Sequence, residues 1–188
     1  MKWLVCLVMP AIALGGCTGI PDAAWRGPTP IHGIVYGYSG VPLAGVMVGV
    51  NDTAPVHSDV RGRFTLAPLT PGGYEITAAR PGYETLTSEI RIASRTDVVY
   101  LKLWSAHDLA TEAQRALDRG SPDEATDLID RAIRIDPKNP VLRYLGAISA
   151  AAAGNPLEGL SILAWFDDRE GVPAVSLLQD RLTMEAGE

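Results

Sequence analysis

Beyond position 17 this 188-residue chain has no cysteine; its two, Cys6 and Cys17, both stand near the start. No disulfide framework can therefore brace the remainder, and no cysteine-based zinc site is open to it. Histidine is scarce as well. His32, His57 and His107 lie about 25 and 50 positions apart, which is no metal-ligand spacing. Basic residues are not in excess: 16 Lys and Arg face 22 Asp and Glu, a net charge of −6. The electrostatic footprint of a nucleic-acid binder is missing. The G-x-S-x-G elbow, the P-loop and the H-E-x-x-H helix are absent too. These gaps point away from an enzyme and offer no catalytic residue, metal or cofactor. His57-Ser58-Asp59 sets hydrolase residue types side by side, but neighbours on a turn cannot build the cross-fold geometry of a triad. Asp59 reads instead as an acceptor for nearby backbone N–H groups on a solvent-facing turn. Asp52 and Asp59 would hold calcium only with backbone carbonyls, and two carboxylates outside a fixed loop are a poor donor set.

Long apolar runs are absent except for one at the start. Residues 1–16, MKWLVCLVMPAIALGG, place one Lys before an apolar stretch that ends in small residues. This is the three-part pattern of a secretory signal peptide, and the run is short for a membrane span. Leu14-Gly15-Gly16-Cys17 resembles the lipobox of bacterial lipoproteins. The resemblance implies that the Cys17 thiol takes a diacylglycerol and that Cys17 becomes the mature N-terminus. Thr18, in place of Asp, implies sorting to the outer membrane, facing the periplasm. The acyl lipid would be the only attached group and the membrane the first partner. Residues 17–30 are rich in Pro and Gly and have no apolar period, so they read as a linker. Trp25 within it suits either a membrane interface or the next domain.

Residues 31–104 follow a strand pattern. Ile34, Tyr36 and Tyr38 alternate with Val35 and Gly37; Val46, Val48 and Val50 alternate with Met47 and Gly49. Phe64 and Leu66, Tyr74 and Ile76, Ile90 and Ile92, and either Val98 and Tyr100 or Val99 and Leu101 continue the series, broken by Gly and Pro turns. Six or seven short strands point to a small antiparallel sandwich. Because Tyr36 and Tyr38 share a face with Ile34, at least one of the two is expected to be buried. The segments HGIVYG, GVPLAGVMVGV and SDVRGRFTLAPLTPGGYEITAARPGYE resemble the carboxypeptidase regulatory-like domain. Gly33, Val35, Gly40, Pro42, Leu43, Gly45, Val46 and Val48 carry the first part of the match. Ser58, Asp59, Gly62, Phe64, Pro71, Gly73, Tyr74, Gly82 and Tyr83 carry the second. The resemblance implies a seven-stranded prealbumin-like or starch-binding-like sandwich without a peptidase site.

Residues 105–188 follow a helical pattern. Leu109, Ala113, Ala116 and Leu117 form one apolar stripe, and Ala125, Leu128, Ile129 and Ala132 form another. Ser121-Pro122-Asp123-Glu124 reads as a capped helix start with Glu124 closing a capping box, and Asn155-Pro156-Leu157-Glu158 repeats it 34 residues on. That period resembles the tetratricopeptide (TPR) repeat. Ala113, Ala125 and Ala132 take small positions in a first unit, and Ala147 and Gly159 in a second. There Phe166 replaces the later Ala, and Gly171 the closing Pro. Residues 173–184 fit a final capping helix that packs on this altered unit. By repeat position, the resemblance implies partner contacts at Asp108, Glu112, Arg115, Arg143 and Tyr144. Two repeats and a cap are marginal alone, so this half should lean on the sandwich, a partner or a second copy.

Charge is uneven. Residues 17–104 hold seven basic and seven acidic side chains; residues 105–188 hold eight and 15. Acidic first turns and solvated faces account for much of this. The remainder favours basic partner surfaces. The chain thus reads as an α+β multidomain protein: an N-terminal seven-stranded antiparallel β-sandwich followed by all-α, TPR-like helical hairpins. Its expected role is a non-catalytic, membrane-anchored scaffold or accessory subunit for envelope proteins. The alternative is a carbohydrate- or peptidoglycan-binding module that uses aromatic faces of Tyr36, Tyr38, Tyr74, Tyr83 and Trp104.

Overall fold

The computed structural model describes residues 25–51, 53–166 and 173–187. The signal and lipobox residues Leu14, Gly15, Gly16 and Cys17, most of the linker, Asp52 and Gly171 lie outside them.

Seven strands form two sheets. β1 (Thr29–Gly37), β4 (Arg63–Leu69) and β7 (Val98–Leu103) make one, in the order β4-β1-β7. β2 (Met47–Val50), β3 (Val56–His57), β5 (Gly72–Ala79) and β6 (Leu86–Ile92) make the other, in the order β3-β2-β5-β6. The expected all-antiparallel pairing is corrected at one place: β1 and β7 run parallel, with Ile34 opposite Tyr100 and Tyr36 opposite Lys102. Parallel neighbours need a crossover. Here the crossover is the rest of the β-domain, so the first and last strands meet at the middle and edge of one sheet.

Side chains alternating along each strand share one core. Ile31 and Val35 meet Val48, Val50, Ile76, Val99, Leu101 and Leu103, all buried. The choice left open for the last strand is resolved in favour of Val99 and Leu101. The expectation for β1 is corrected. Its buried face carries Ile31, Gly33, Val35 and Gly37, while Ile34 and Tyr36 are half-buried on the opposite face. The reason is steric. The Phe64 ring lies across Gly33 so closely that an added Cβ would sit 2.1 Å from Cζ. The glycine face is the inner one because a neighbour's ring fills it. Trp25 also joins this core, its indole N–H donating to Thr29 Oγ1 at 3.0 Å, so the domain reaches back into the linker segment.

The turn before β4 holds two polar anchors. Ser58 is buried rather than solvent-facing: its Oγ accepts from the Val46 N–H at 2.9 Å and donates to the Leu43 carbonyl at 2.6 Å. Asp59 Oδ1 accepts from the N–H groups of Arg61 and Arg63, each at 2.8 Å. The Arg63 N–H bond above all holds this carboxyl below the usual carboxylate range.

Five α-helices follow: α1 (Ala106–Asp118), α2 (Pro122–Ile135), α3 (Pro140–Ala152), α4 (Pro156–Leu163) and α5 (Pro173–Ala186). Each packs on the next, and α1 also touches α3. The small residues allow this. Ala113, Ala125, Ala132 and Ala147 are fully buried, and a Cβ on Gly159 would lie 2.7 Å from Leu182 Cδ1 and 3.1 Å from the Ala147 carbonyl oxygen. Phe166 clusters with Val175 and Leu182 of α5.

The helix starts differ from expectation. Neither Ser121 nor Asn155 makes a side-chain cap. Each closes the preceding helix instead. Gly120 and Gly154 have φ of +75° and +81°, and the N–H groups of Ser121 and Asn155 return to the carbonyls of Ala116 and Ala150. This is a Schellman ending at both sites. A residue that ends one helix and begins the next is held at ψ of 70° or 65°, short of the extended cap geometry that Ser105 shows at 161°. The true capping box is Ser105 with Asp108, and Asn139 caps α3.

Candidate functional site

The strand domain and the helices meet with almost no linker: β7 ends at Leu103 and Ser105 already caps α1. Around this junction Tyr38 stacks on Trp104 with ring centroids 3.9 Å apart, and Lys102 Nζ lies 4.5 Å from the Tyr38 centroid. Arg131 on α2 grips Glu84 with two bonds, Nε to Oε1 at 3.0 Å and Nη2 to Oε2 at 2.7 Å. Its guanidinium sits 5.6 Å from the Trp104 ring centroid. Arg131 holds the Glu84 carboxyl below its ordinary range, chiefly through the hydrogen bond. The Tyr38 hydroxyl donates to Glu112 Oε2 at 3.1 Å. The helical half therefore leans on the β-domain.

This junction places several residues expected on a partner surface. Asp108 is engaged in the α1 capping box. Glu112 accepts from Tyr38, Arg115 and Arg119; the Arg115 bond is the largest cause of its lowered pKa. Arg115 is exposed apart from that pair. Tyr144 packs against the Phe166 cluster. Arg143, in contrast, lines an open groove.

That groove has a volume of about 450 Å³ and lies between α2 and α4, both of which pack on α3. Ile133 and Ile162 are half-buried in its walls, and Gly146 of α3 also lines it. Asp123, Asp127 and Asp130 follow i, i+4, i+7 along one face of α2, with Glu158 on α4. The aspartate spacing is legible in the sequence. The groove beside it is not, because it depends on how far apart α3 holds the two helices.

A second exposed surface is the outer face of the three-stranded sheet, where Ile34, Tyr36, Val98, Tyr100 and Lys102 share one side by register. Tyr100 is 67% exposed. Of the other aromatics considered for stacking, Tyr38 and Trp104 are spent on the junction. The Tyr74 hydroxyl donates to the Thr70 carbonyl at 2.8 Å. Tyr83 is half-buried, with the Arg80 guanidinium 5.0 Å from its ring centroid. Among the described residues no group of three or more His, Cys, Asp or Glu is placed to hold a metal ion, and no helix is long and apolar enough to cross a membrane.

The strand order, the Gly33–Phe64 contact and the Asp59 turn fall within the segment that a family model recognises. Residues 30–102 match the carboxypeptidase regulatory-like domain. No curated protein matches the chain. Among solved structures, this chain is similar to a 3-chlorocatechol 1,2-dioxygenase from Rhodococcus opacus, at 16% identity and a TM-score of 0.34, over 41% of this chain and 59% of that one. It is also similar to the Bacillus anthracis TIE protein, at 19% identity and a TM-score of 0.37, over 43% of this chain and 17% of that one. A streptococcal ancillary pilin matches at 19% identity and a TM-score of 0.35, over 43% and 30%. The chain thus spans less than two thirds of the length of each, and likenesses at these scores carry no functional argument. The regulatory-like domain specifies a fold, and a fold does not specify a function.

Proposed function

We propose that this chain is a non-catalytic envelope lipoprotein that works as a protein-interaction scaffold. Cys17 carries the lipid and holds the chain at the outer membrane on the periplasmic side. The regulatory-like domain is a rigid seven-stranded spacer, and the helices, arranged as two TPR-like units and a cap, form the working surface. The observation that supports this is the junction: stacking, a bidentate ion pair and a tyrosine bond fasten the helices to the sandwich while the groove between α2 and α4 stays open. A second reading, glycan binding, is favoured by Tyr100, exposed on the outer sheet face with Tyr36 half-buried on the same side, since an exposed aromatic face suits sugar stacking.

The test is photocrosslinking in intact cells of the native host, with the crosslinker at position 158 in the groove or at position 100 on the sheet. A Cys17→Ser form runs alongside, with membrane fractionation. Protein adducts from position 158 support the scaffold. Polysaccharide adducts from position 100, with none from 158, transfer the role to the sheet. Membrane retention of Cys17→Ser would remove the anchor.

A further inference from the structure

We infer that the groove between α2 and α4 takes a basic, amphipathic helical segment of a partner protein, an assignment that rests on the scaffold reading above. Two observations carry it. The first is the rim. Asp123, Asp127 and Asp130 span about 10 Å along α2 at ~1.5 Å per residue, facing Glu158 across the groove. None of these four makes an ion pair among the described residues, whereas Glu84, Glu112, Glu124 and Glu185 all do. Arg131, next to Asp127, is committed to Glu84. Arg143 in the lining and Arg131 beside Asp127 offset part of the rim charge, and the remainder stays net negative.

The second observation is the wall. Ile133 and Ile162 give the groove an apolar lining, so a ligand needs an apolar face as well as a charged one. Lys or Arg at i, i+4 and i+7 of an incoming helix would match the aspartate spacing, with its apolar stripe against the isoleucines. Arg143 also lines the groove, its guanidinium 6.0 Å from the Trp165 ring centroid, and against four carboxylates it leaves the lining net negative. A purely cationic polymer would lack the apolar face, and an acidic segment would meet the carboxylate rim.

The test uses the full-length chain in a nonionic detergent and an 18-residue Leu/Lys amphipathic peptide carrying a benzophenone. A matched peptide has Glu for every Lys. Crosslinks are mapped by mass spectrometry, so partition into micelles does not count as binding. The Lys peptide should map to α2 and α4 at least about tenfold more than the Glu peptide, with the yield falling as salt rises. Neutralising the rim (Asp127→Asn, Asp130→Asn and Glu158→Gln together) should lower the yield about tenfold. Neutralising three acids elsewhere (Asp118→Asn, Asp180→Asn and Glu185→Gln) changes net charge equally and should leave the yield within about twofold. Circular dichroism checks that both variants keep their helices. If the rim variant unfolds, the peptide comparison and salt dependence on the unmodified chain decide. Equal loss in both variants, or equal labelling by both peptides, overturns the inference. If intact-cell adducts come from position 100 alone and are protein, the scaffold stands and the groove assignment falls.

Discussion

Removing the Glu84–Arg131 pair should loosen the helices from the β-domain before it unfolds either one. The two side chains are 33% and 32% exposed, and they meet through two short bonds in parallel. An exposed pair is worth about 0–1 kcal/mol, while breaking a buried one costs about 3–5 kcal/mol. With a third of each side chain in water, screening keeps the coupling toward the lower range, so about 1 kcal/mol is expected from a double-mutant cycle of Glu84→Gln and Arg131→Met. Arg131→Met should cost more than Glu84→Gln, by about 0.5–1 kcal/mol, because it also takes a cation from the Trp104 face. The single substitutions should lower Tm by about 2–4 °C per kcal/mol in a chain of this length. Hydrogen exchange followed by mass spectrometry should show protection lost first where Glu84 N–H donates to the Trp104 carbonyl, with the remote core of β5 unchanged.

The pH dependence has a definite sign. Glu84 is held below its ordinary value of 4.5 in the folded chain, so its contribution is present above the unfolded pKa and is lost as pH falls through the folded one. The pair should therefore matter at neutral pH and fade in acid below 4.5, and the Glu84→Gln chain should show less acid destabilisation than the unmodified one. A coupling energy indistinguishable from zero at neutral pH, or identical acid profiles, would refute the view that this pair fastens the junction.

Further substitutions test the interior. Gly33→Ala should destabilise by about 1–3 kcal/mol in urea unfolding, because the Phe64 ring must leave its place in the core. Ser58→Ala removes an acceptor from Val46 and a donor to Leu43, and a loss of about 1–3 kcal/mol is expected by the same measurement. Ser105→Ala should cost about 1 kcal/mol through the lost capping box, whereas Ser121→Ala, which removes no side-chain cap, should shift stability by less than about 0.5 kcal/mol. Equal losses at Ser105 and Ser121 would show that the geometry of the helix starts is misassigned.

Local chemistry made much of this legible. The regulatory-like segment is marked by Gly33, Gly62, Phe64 and the Asp59 turn, whose partners lie within one hairpin or one strand pair. The helix stripes and their small residues are also periodic, and Ala113, Ala125 and Ala132 are buried as that periodicity requires. The inner face of β1 was not legible, because alternation names two faces without saying which carries the core. The large side chains Ile34 and Tyr36 suggested one answer, and the Phe64 ring over Gly33 imposed the other. Ser121 misled for a related reason. Its type and position fit a cap, but its backbone was already committed to closing the helix before it.

Sequence by itself determined the elements of this protein: strand and helix periods, glycine turns, the 34-residue spacing between the helix starts at Pro122 and Pro156, and the acidic bias of the helical half. Those are consequences of side-chain type and covalent spacing, which act over a few residues. Tertiary structure alone decided that β1 and β7 run parallel, that Tyr38 and Glu84 reach 74 and 47 residues along the chain to Glu112 and Arg131, and that an aspartate stripe borders a groove. Each of those features joins groups whose separation in sequence sets no distance between them, so only the packing of whole elements could bring them together.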